Sequence, residues 1–193
     1  MAAIGRKSKI DELGIENTKI KLSKRNSIIV NELYETNNRN IFAIGDVIDK
    51  IQLTPVAINE AVIFIQNIES NNKNQVKYEN IPTAIFSNPN MATVGLSEEQ
   101  AKEKYERIDI YVSDFKPLKL TLSESKERVF IKLIVDSKSQ KVVGLHYIGN
   151  EAAEIIQGFA VAIVSGLKKD DFDKTIGIHP SSAEEIVTLK QKL

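Results

Sequence analysis

Val129-Phe130-Ile131-Lys132-Leu133-Ile134-Val135-Asp136, Ser137-Lys138-Ser139-Gln140 and Val142-Val143-Gly144-Leu145-His146-Tyr147-Ile148 form the stretch whose reading decides the fold. Two runs rich in β-branched and aromatic residues flank a short polar segment, the pattern of two antiparallel strands joined by a turn. Upstream, residues 108–115 read as another strand, and 83–86 and 93–96 as two short ones around Asn88-Pro89-Asn90. Ser97-Glu98-Glu99-Gln100 is a capping box that opens a short helix. Downstream, residues 151–165 carry apolar residues at helical spacing, with Gly166 as the C-cap, and a final short helix covers 182–189. Residues 77–193 are therefore expected to form an α+β unit, an antiparallel sheet with helices gathered on one side.

Further towards the N-terminus the pattern changes. Ser70-Asn71-Asn72-Lys73-Asn74-Gln75 is a polar linker and the natural place for a domain boundary. Before it, residues 27–30 and 41–44 read as strands, and Gly45-Asp46 ends the second. Thr54-Pro55 reads as an N-cap followed by proline at the first helical position. Val56, Ala57, Ala61, Phe64, Ile65 and Ile68 then have helical spacing. The expected organisation is 1–76 and 77–193.

Composition limits the function classes. With 193 residues and 42% hydrophobic content, the chain suits one domain or two small ones. Lys plus Arg number 26 and Asp plus Glu 26, so no charge excess points to nucleic acid or an anionic membrane. No apolar run approaches the ~18 residues of a membrane-spanning helix, and the N-terminus lacks a signal-peptide apolar core. A soluble, cytoplasmic protein is the expectation. The absence of cysteine removes disulfides, thiolate metal sites and thiol nucleophiles from these residues, and with two histidines no metal cluster is expected.

Three segments could carry chemistry. Ile41-Phe42-Ala43-Ile44-Gly45-Asp46-Val47 puts a carboxylate at the end of an apolar run. Ligands of open α/β sheets sit at such strand ends, where Asp46 could accept a bond from a sugar or ribityl hydroxyl; taken alone the segment reads more simply as an ordinary strand-to-turn ending. Leu53-Thr54-Pro55-Val56-Ala57 is a complete helix start that also offers free N–H groups and a positive dipole end. His179-Pro180-Ser181-Ser182-Ala183-Glu184 places a carboxylate five residues after a histidine. Glu184 could orient the ring and favour its protonated form, making His179 a general acid–base, or serve only in a Ser181-x-x-Glu184 capping box.

These segments, in this order, resemble the pyridine-nucleotide disulfide oxidoreductases, and glutathione reductases in particular. The resemblance begins at Ala3-Ile4-Gly5-Arg6 and continues through Ile81-Pro82-Thr83-Ala84-Ile85-Phe86, Thr93-Val94-Gly95-Leu96 and Val142-Val143-Gly144-Leu145-His146. Gln157-Gly158-Phe159-Ala160-Val161-Ala162, Asp171-Phe172-Asp173-Lys174-Thr175 and the stretch from His179 to Leu189 complete it. It implies that residues 1–76 are an incomplete second part of an FAD-binding domain and 77–193 an interface domain. Asp46 and Thr54 would lie by the flavin. His179, partnered by Glu184, would protonate the leaving thiolate of glutathione. FAD and NADPH are the implied cofactors of the parent enzyme, glutathione disulfide its substrate, and a homodimer its assembly, His179 serving the opposite subunit. Phe115, Pro117 and Leu118 fall in a substrate-facing loop, where Phe115-Lys116-Pro117-Leu118-Lys119 departs from the commoner version with an aromatic; Asn59-Glu60 departs from the small residues common after the helix start.

The nine glycines include no two at a spacing of two, so no Gly-x-Gly-x-x-Gly loop is present. The chain reads as a truncated piece or one part of a split gene, inactive alone and binding FAD weakly or not at all. A sister reductase of dihydrolipoamide, mercuric or trypanothione type and a non-catalytic dimerisation module are the alternatives.

Overall fold

The computed structural model describes residues 4–70 and 72–193, so Ala3 of the first motif and Asn71 of the linker lie outside the described residues. Two compact units divide the chain, the first ending at Tyr78 and the second spanning Glu79–Leu193.

In the first unit the two expected strands do not form. Only isolated bridges occur among the described residues there, Leu22 with Ile28 and Glu35 with Phe42. Short polar side chains take the backbone donors that a longer ladder would use. The Ser23 hydroxyl accepts from the N–H groups of Arg25 (3.1 Å) and Ser27 (3.2 Å), and the Asn31 side-chain oxygen accepts from Leu33 (2.9 Å) and Glu35 (3.0 Å). Gly45–Ile48 is a single 3-10 turn, followed by helix α1, Thr54–Ser70. The Leu53 carbonyl accepts from Val56 N–H (3.0 Å) and Ala57 N–H (3.1 Å), so Leu53 is the cap, and Thr54 and Pro55 are the first two helical residues. Proline lacks only an N–H that is unpaired anywhere in a first turn, which lets the helix begin one residue earlier than the Thr-Pro reading expects.

The inward stripe of α1 also differs. Val56 and Glu60 are buried and Ile63 and Phe64 pack on the core of Ile20, Ile28, Tyr34, Ala43, Ile48 and Val76. Ile65 (49% exposed) and Ile68 (60%) point outward with Ile58 and Val62. The polar linker is tied back to α1, since Asn67 Nδ2 donates to Asn74 O (2.8 Å) and Asn74 N–H to Asn67 Oδ1 (2.9 Å). With Val76 buried and the Tyr78 hydroxyl bonded to Glu60, this unit runs past the polar tract to Tyr78.

The second unit is built on β1 Thr83–Ile85, β2 Met91–Gly95, β3 Ile108–Phe115, β4 Val129–Asp136 and β5 Val142–Ile148. They form one antiparallel sheet in the order β1-β2-β5-β4-β3. The Asp136 carboxylate closes the β4–β5 turn by accepting from the N–H groups of Lys138 (3.3 Å) and Ser139 (3.0 Å). Helices α2 Glu98–Lys104, α3 Ala152–Val164, α4 Lys169–Lys174 and α5 Glu184–Thr188 complete the unit. Alternate residues of β4 (Val129, Ile131, Leu133, Val135) meet Ile156, Ala160 and Ile163 of α3, Phe172 of α4 and Ile186 of α5 in one core. Ile131, Leu133 and Leu145 are 0% exposed, and full burial contributes about 1.5–3 kcal/mol for each. The short α2 instead joins a second cluster in which Ala101 packs with Ile134 and Val143. A bulge accounts for this: Ile134 pairs Gly144 but Val135 pairs Val142, so Val143 turns to the other cluster. Gly144 is required where the strands cross closely, because a Cβ there would lie 2.3 Å from the Leu96 carbonyl oxygen. No helix among the described residues is long and apolar enough to cross a membrane.

Candidate functional site

In the second unit the chain passes through a cis His179-Pro180 bond into α5. His179 Nδ1 lies 3.0 Å from Glu184 Oε1 and 3.2 Å from Oε2. The same carboxylate accepts from Ser181 N–H (3.4 Å), and Glu184 N–H donates to Ser181 Oγ (3.2 Å). One side chain thus makes both contacts, but α5 begins only at Glu184 with Ala183 as its cap, so the Ser181–Glu184 bonds close the turn before the helix and are not a cap of it. Gly177 permits the approach, since a Cβ there would sit 2.7 Å from Glu184 Cβ. The Glu184 side chain is 18% exposed and the His179 ring 73%. A carboxylate that takes the Nδ1 proton bond fixes the tautomer and leaves Nε2 for exchange with a ligand.

Beside this pair lies a cleft of 310 Å³ lined by Pro117, Leu118, Lys119, Glu151, Pro180 and residues 181–182. Lys119 Nζ and Glu151 Oε1 are 3.1 Å apart across it. Of the loop singled out in the sequence, Pro117 and Leu118 reach the cleft, whereas Phe115 packs against the sheet core. Phe115 ends β3, and strand alternation turns it inward.

His146, with no assigned role, has both ring nitrogens satisfied. Thr93 Oγ1 lies 2.6 Å from Nδ1 and the Leu96 carbonyl 3.1 Å from Nε2, and burial pushes the ring's pKa down. It is a neutral link between β2 and β5. Among the described residues no three His, Asp or Glu side chains are grouped to hold a metal ion.

In the first unit, Gly45 has φ +74° and packs on the opening turn of α1, where a Cβ would meet that of Ala57 at 3.2 Å. Asp46 follows with its carboxylate 51% exposed and 3.4 Å from Arg6 Nη1. Arg6 is held in turn by a 2.6 Å bond to the Gln52 carbonyl. Thr54 opens α1 with the one N–H of its first turn that Leu53 does not take, and the Gly45–Ala57 approach brings the Asp46 turn against that helix start. A bare glycine backbone, an accessible carboxylate and a helix N-terminus are a donor and acceptor set that fits a hydroxylated, anionic cofactor side chain such as that of FAD. Sequence reasoning missed Glu60, which is 1% exposed and bonded to Gly45 N–H. A glutamate on an amphipathic helix carries the signature of a solvated face, and only the neighbouring Tyr34 and Tyr78 turn it into a buried anchor.

The chain is similar to known proteins throughout. A family model described as the pyridine nucleotide-disulphide oxidoreductase dimerisation domain matches residues 81–190, and one described as pyridine nucleotide-disulphide oxidoreductase matches residues 1–61. Glutathione reductase, chloroplastic/mitochondrial, of Pisum sativum is 47% identical over 190 residues, covering 98% of this chain and 34% of that protein. Glutathione reductases of Nostoc sp. (44% identical; 98% of this chain, 44% of that protein) and Burkholderia cepacia (43%; 100% and 43%) match similarly. The HOCl-induced flavoprotein disulfide reductase RclA from Escherichia coli superposes with a TM-score of 0.84 at 27% identity, over 97% of this chain and 43% of that one. The chain spans less than half the length of these relatives.

Proposed function

Since the chain belongs to the pyridine nucleotide-disulphide oxidoreductase family, we propose that its residues serve an NADPH-dependent, FAD-containing reductase of glutathione disulfide, supplying its dimer interface and its acid–base pair. The observation that carries this reading is the His179–Glu184 contact, whose intervening residues Pro180, Ser181 and Ser182 line a cleft. FAD, held beside Asp46 and the α1 start, would supply the electron relay between NADPH and a dithiol. His179 Nε2 then holds the proton that the departing glutathione thiolate takes up, while Glu184 keeps Nδ1–H engaged so that Nε2 faces the sulfur. Pro117, Leu118 and Lys119 shape the cleft wall for the substrate. Asp46 would accept from a ribityl hydroxyl, and the α1 start at Thr54 would face an electron-rich atom of the flavin ring. The absence of cysteine favours a second reading for these residues in isolation, a dimerisation module without catalysis.

A chimera tests the reading directly. The N-terminal part of the Nostoc glutathione reductase joined to these residues is expected to be yellow and to oxidise NADPH with glutathione disulfide, not with lipoamide. A folded, flavin-loaded chimera without that activity would overturn it.

Assembly has its own test. Val161 (67% exposed) and Val164 (64%) leave an apolar outer face on α3, and a two-fold dimer would bury such a face against itself. Light scattering is expected to give twice the monomer mass at micromolar concentration. Val161→Glu with Val164→Glu should return the monomer with an unchanged far-UV spectrum. Only monomer in the unsubstituted, folded protein would refute the homodimer.

A further inference from the structure

We propose that Glu60 is a positioning residue for the flavin-facing turn, its buried carboxylate fixing Gly45 and thereby the direction of Asp46. This rests on the reading of Gly45-Asp46 as a flavin segment and adds to it a residue that the reading leaves unused. Glu60 is 1% exposed. Its Oε2 accepts from Gly45 N–H at 2.5 Å and its Oε1 from the Tyr78 hydroxyl at 2.7 Å. The Tyr34 hydroxyl lies 3.3 Å from that of Tyr78 and extends the chain of bonds. Lys50 Nζ sits 4.7 Å from the Tyr78 ring centroid and 5.8 Å from that of Tyr34.

A carboxylate in this position is costly unless its oxygens are bonded, so the fold retains it only with the turn in place. The turn needs such an anchor. Gly45 adopts a left-handed φ of +74°, which glycine reaches without penalty and does not prefer over others. One charge-assisted bond from a rigid helix selects that geometry. Burial chiefly raises the pKa of both phenols, so Tyr78 keeps its proton and remains a donor. Asp46, the next residue, keeps its carboxylate half exposed with Arg6 alongside. Glu60 touches no ligand atom in this scheme and acts only through Gly45.

The test uses the full labelled chain in solution NMR. The Gly45 amide proton is expected far downfield, with a scalar coupling across the hydrogen bond to the Glu60 carboxylate carbon. Millimolar FAD is expected to shift the Gly45 and Asp46 amides, and AMP at the same concentration to leave them unmoved. Glu60→Gln keeps the volume and the methyl spectrum. It should move the Gly45 proton upfield and weaken the FAD response at Asp46 by roughly tenfold, equivalent to about 1.4 kcal/mol. If Glu60→Gln does not fold, Glu60→Asp, which withdraws the charge by one methylene, should show the same loss. Absence of the coupling in the unsubstituted chain overturns the proposal, as does a folded Glu60→Gln with an undiminished FAD response. The coupling present with no FAD response at Asp46 overturns the flavin reading and with it the positioning role, while the bond itself stands.

Discussion

Replacing His179 with Ala in a chimeric glutathione reductase carrying these residues is expected to lower kcat by roughly 10²–10⁴-fold. On the proposed reading the substitution removes the proton donor, and little else. The ring is 73% exposed, so few packing contacts are lost and the unfolding midpoint should barely move. Glu184→Gln is the finer probe. The amide oxygen can still accept from Nδ1–H and from Ser181 N–H, which now lie on one carboxylate. What is lost is the negative charge beside the ring, so a smaller fall of roughly tenfold in kcat is expected with KM unchanged. Ser181→Ala separates the two duties of Glu184. It deletes the hydroxyl that accepts from Glu184 N–H, costing about 1 kcal/mol of stability, and should lower kcat far less than His179→Ala. NADPH consumption at saturating glutathione disulfide, with denaturant titrations of the same preparations, reads all three. A His179→Ala enzyme retaining more than half its kcat would remove His179 from the mechanism.

The parts of this molecule that were legible in its sequence are those where local pattern and tertiary burial agree. The residues of β3, β4 and β5 follow from their β-branched runs, and the Ser97 box caps α2 as its spacing implies: Ser97 N–H donates to Gln100 Oε1 (3.0 Å) and Gln100 N–H to Ser97 Oγ (3.3 Å). Pattern fails where one residue serves two masters. Val142-Val143 reads as an uninterrupted apolar strand because the bulge sends the two side chains to different clusters. The hairpins of the first unit look like strands because short apolar runs lie between polar turns, yet serine and asparagine side chains absorb the ladder bonds. Helix α4 was not read at all, being short; its Lys169 is 4% exposed, pairs with Asp173 and stands 4.8 Å from the Tyr111 ring centroid. For the site, the spacing of His179 and Glu184 was legible because Pro180 and the helix start define the local path. Glu60 was not, because its partners Gly45 and Tyr78 lie 15 and 18 residues away.

These 193 residues by themselves, purified with added FAD, are expected to be colourless near 450 nm and to show no NADPH oxidation with glutathione disulfide. The binding half follows from what holds the cofactor. Asp46 offers one charge-assisted hydrogen bond, about 1.5–3 kcal/mol. The α1 N-terminus adds about 0.3–1 kcal/mol through its dipole. The total, at most about 4 kcal/mol, corresponds to roughly millimolar affinity before any ordering cost, and purification removes a ligand held that loosely. No glycine-rich loop is available in the sequence to hold the pyrophosphate, the contact on which dinucleotide affinity chiefly depends. The catalytic half fails separately. Reducing a disulfide by two electrons through this family's route requires a thiolate that attacks one sulfur, forms a mixed disulfide and is released by a second thiol. With no cysteine, neither sulfur is present, so no mixed disulfide forms and no thiolate leaves. The two halves are measured independently: an absorbance scan after gel filtration, and NADPH loss at 340 nm. A stoichiometric yellow complex would refute the affinity argument alone. Turnover that survives repurification would refute the thiol argument, and it would require an electron route that bypasses cysteine.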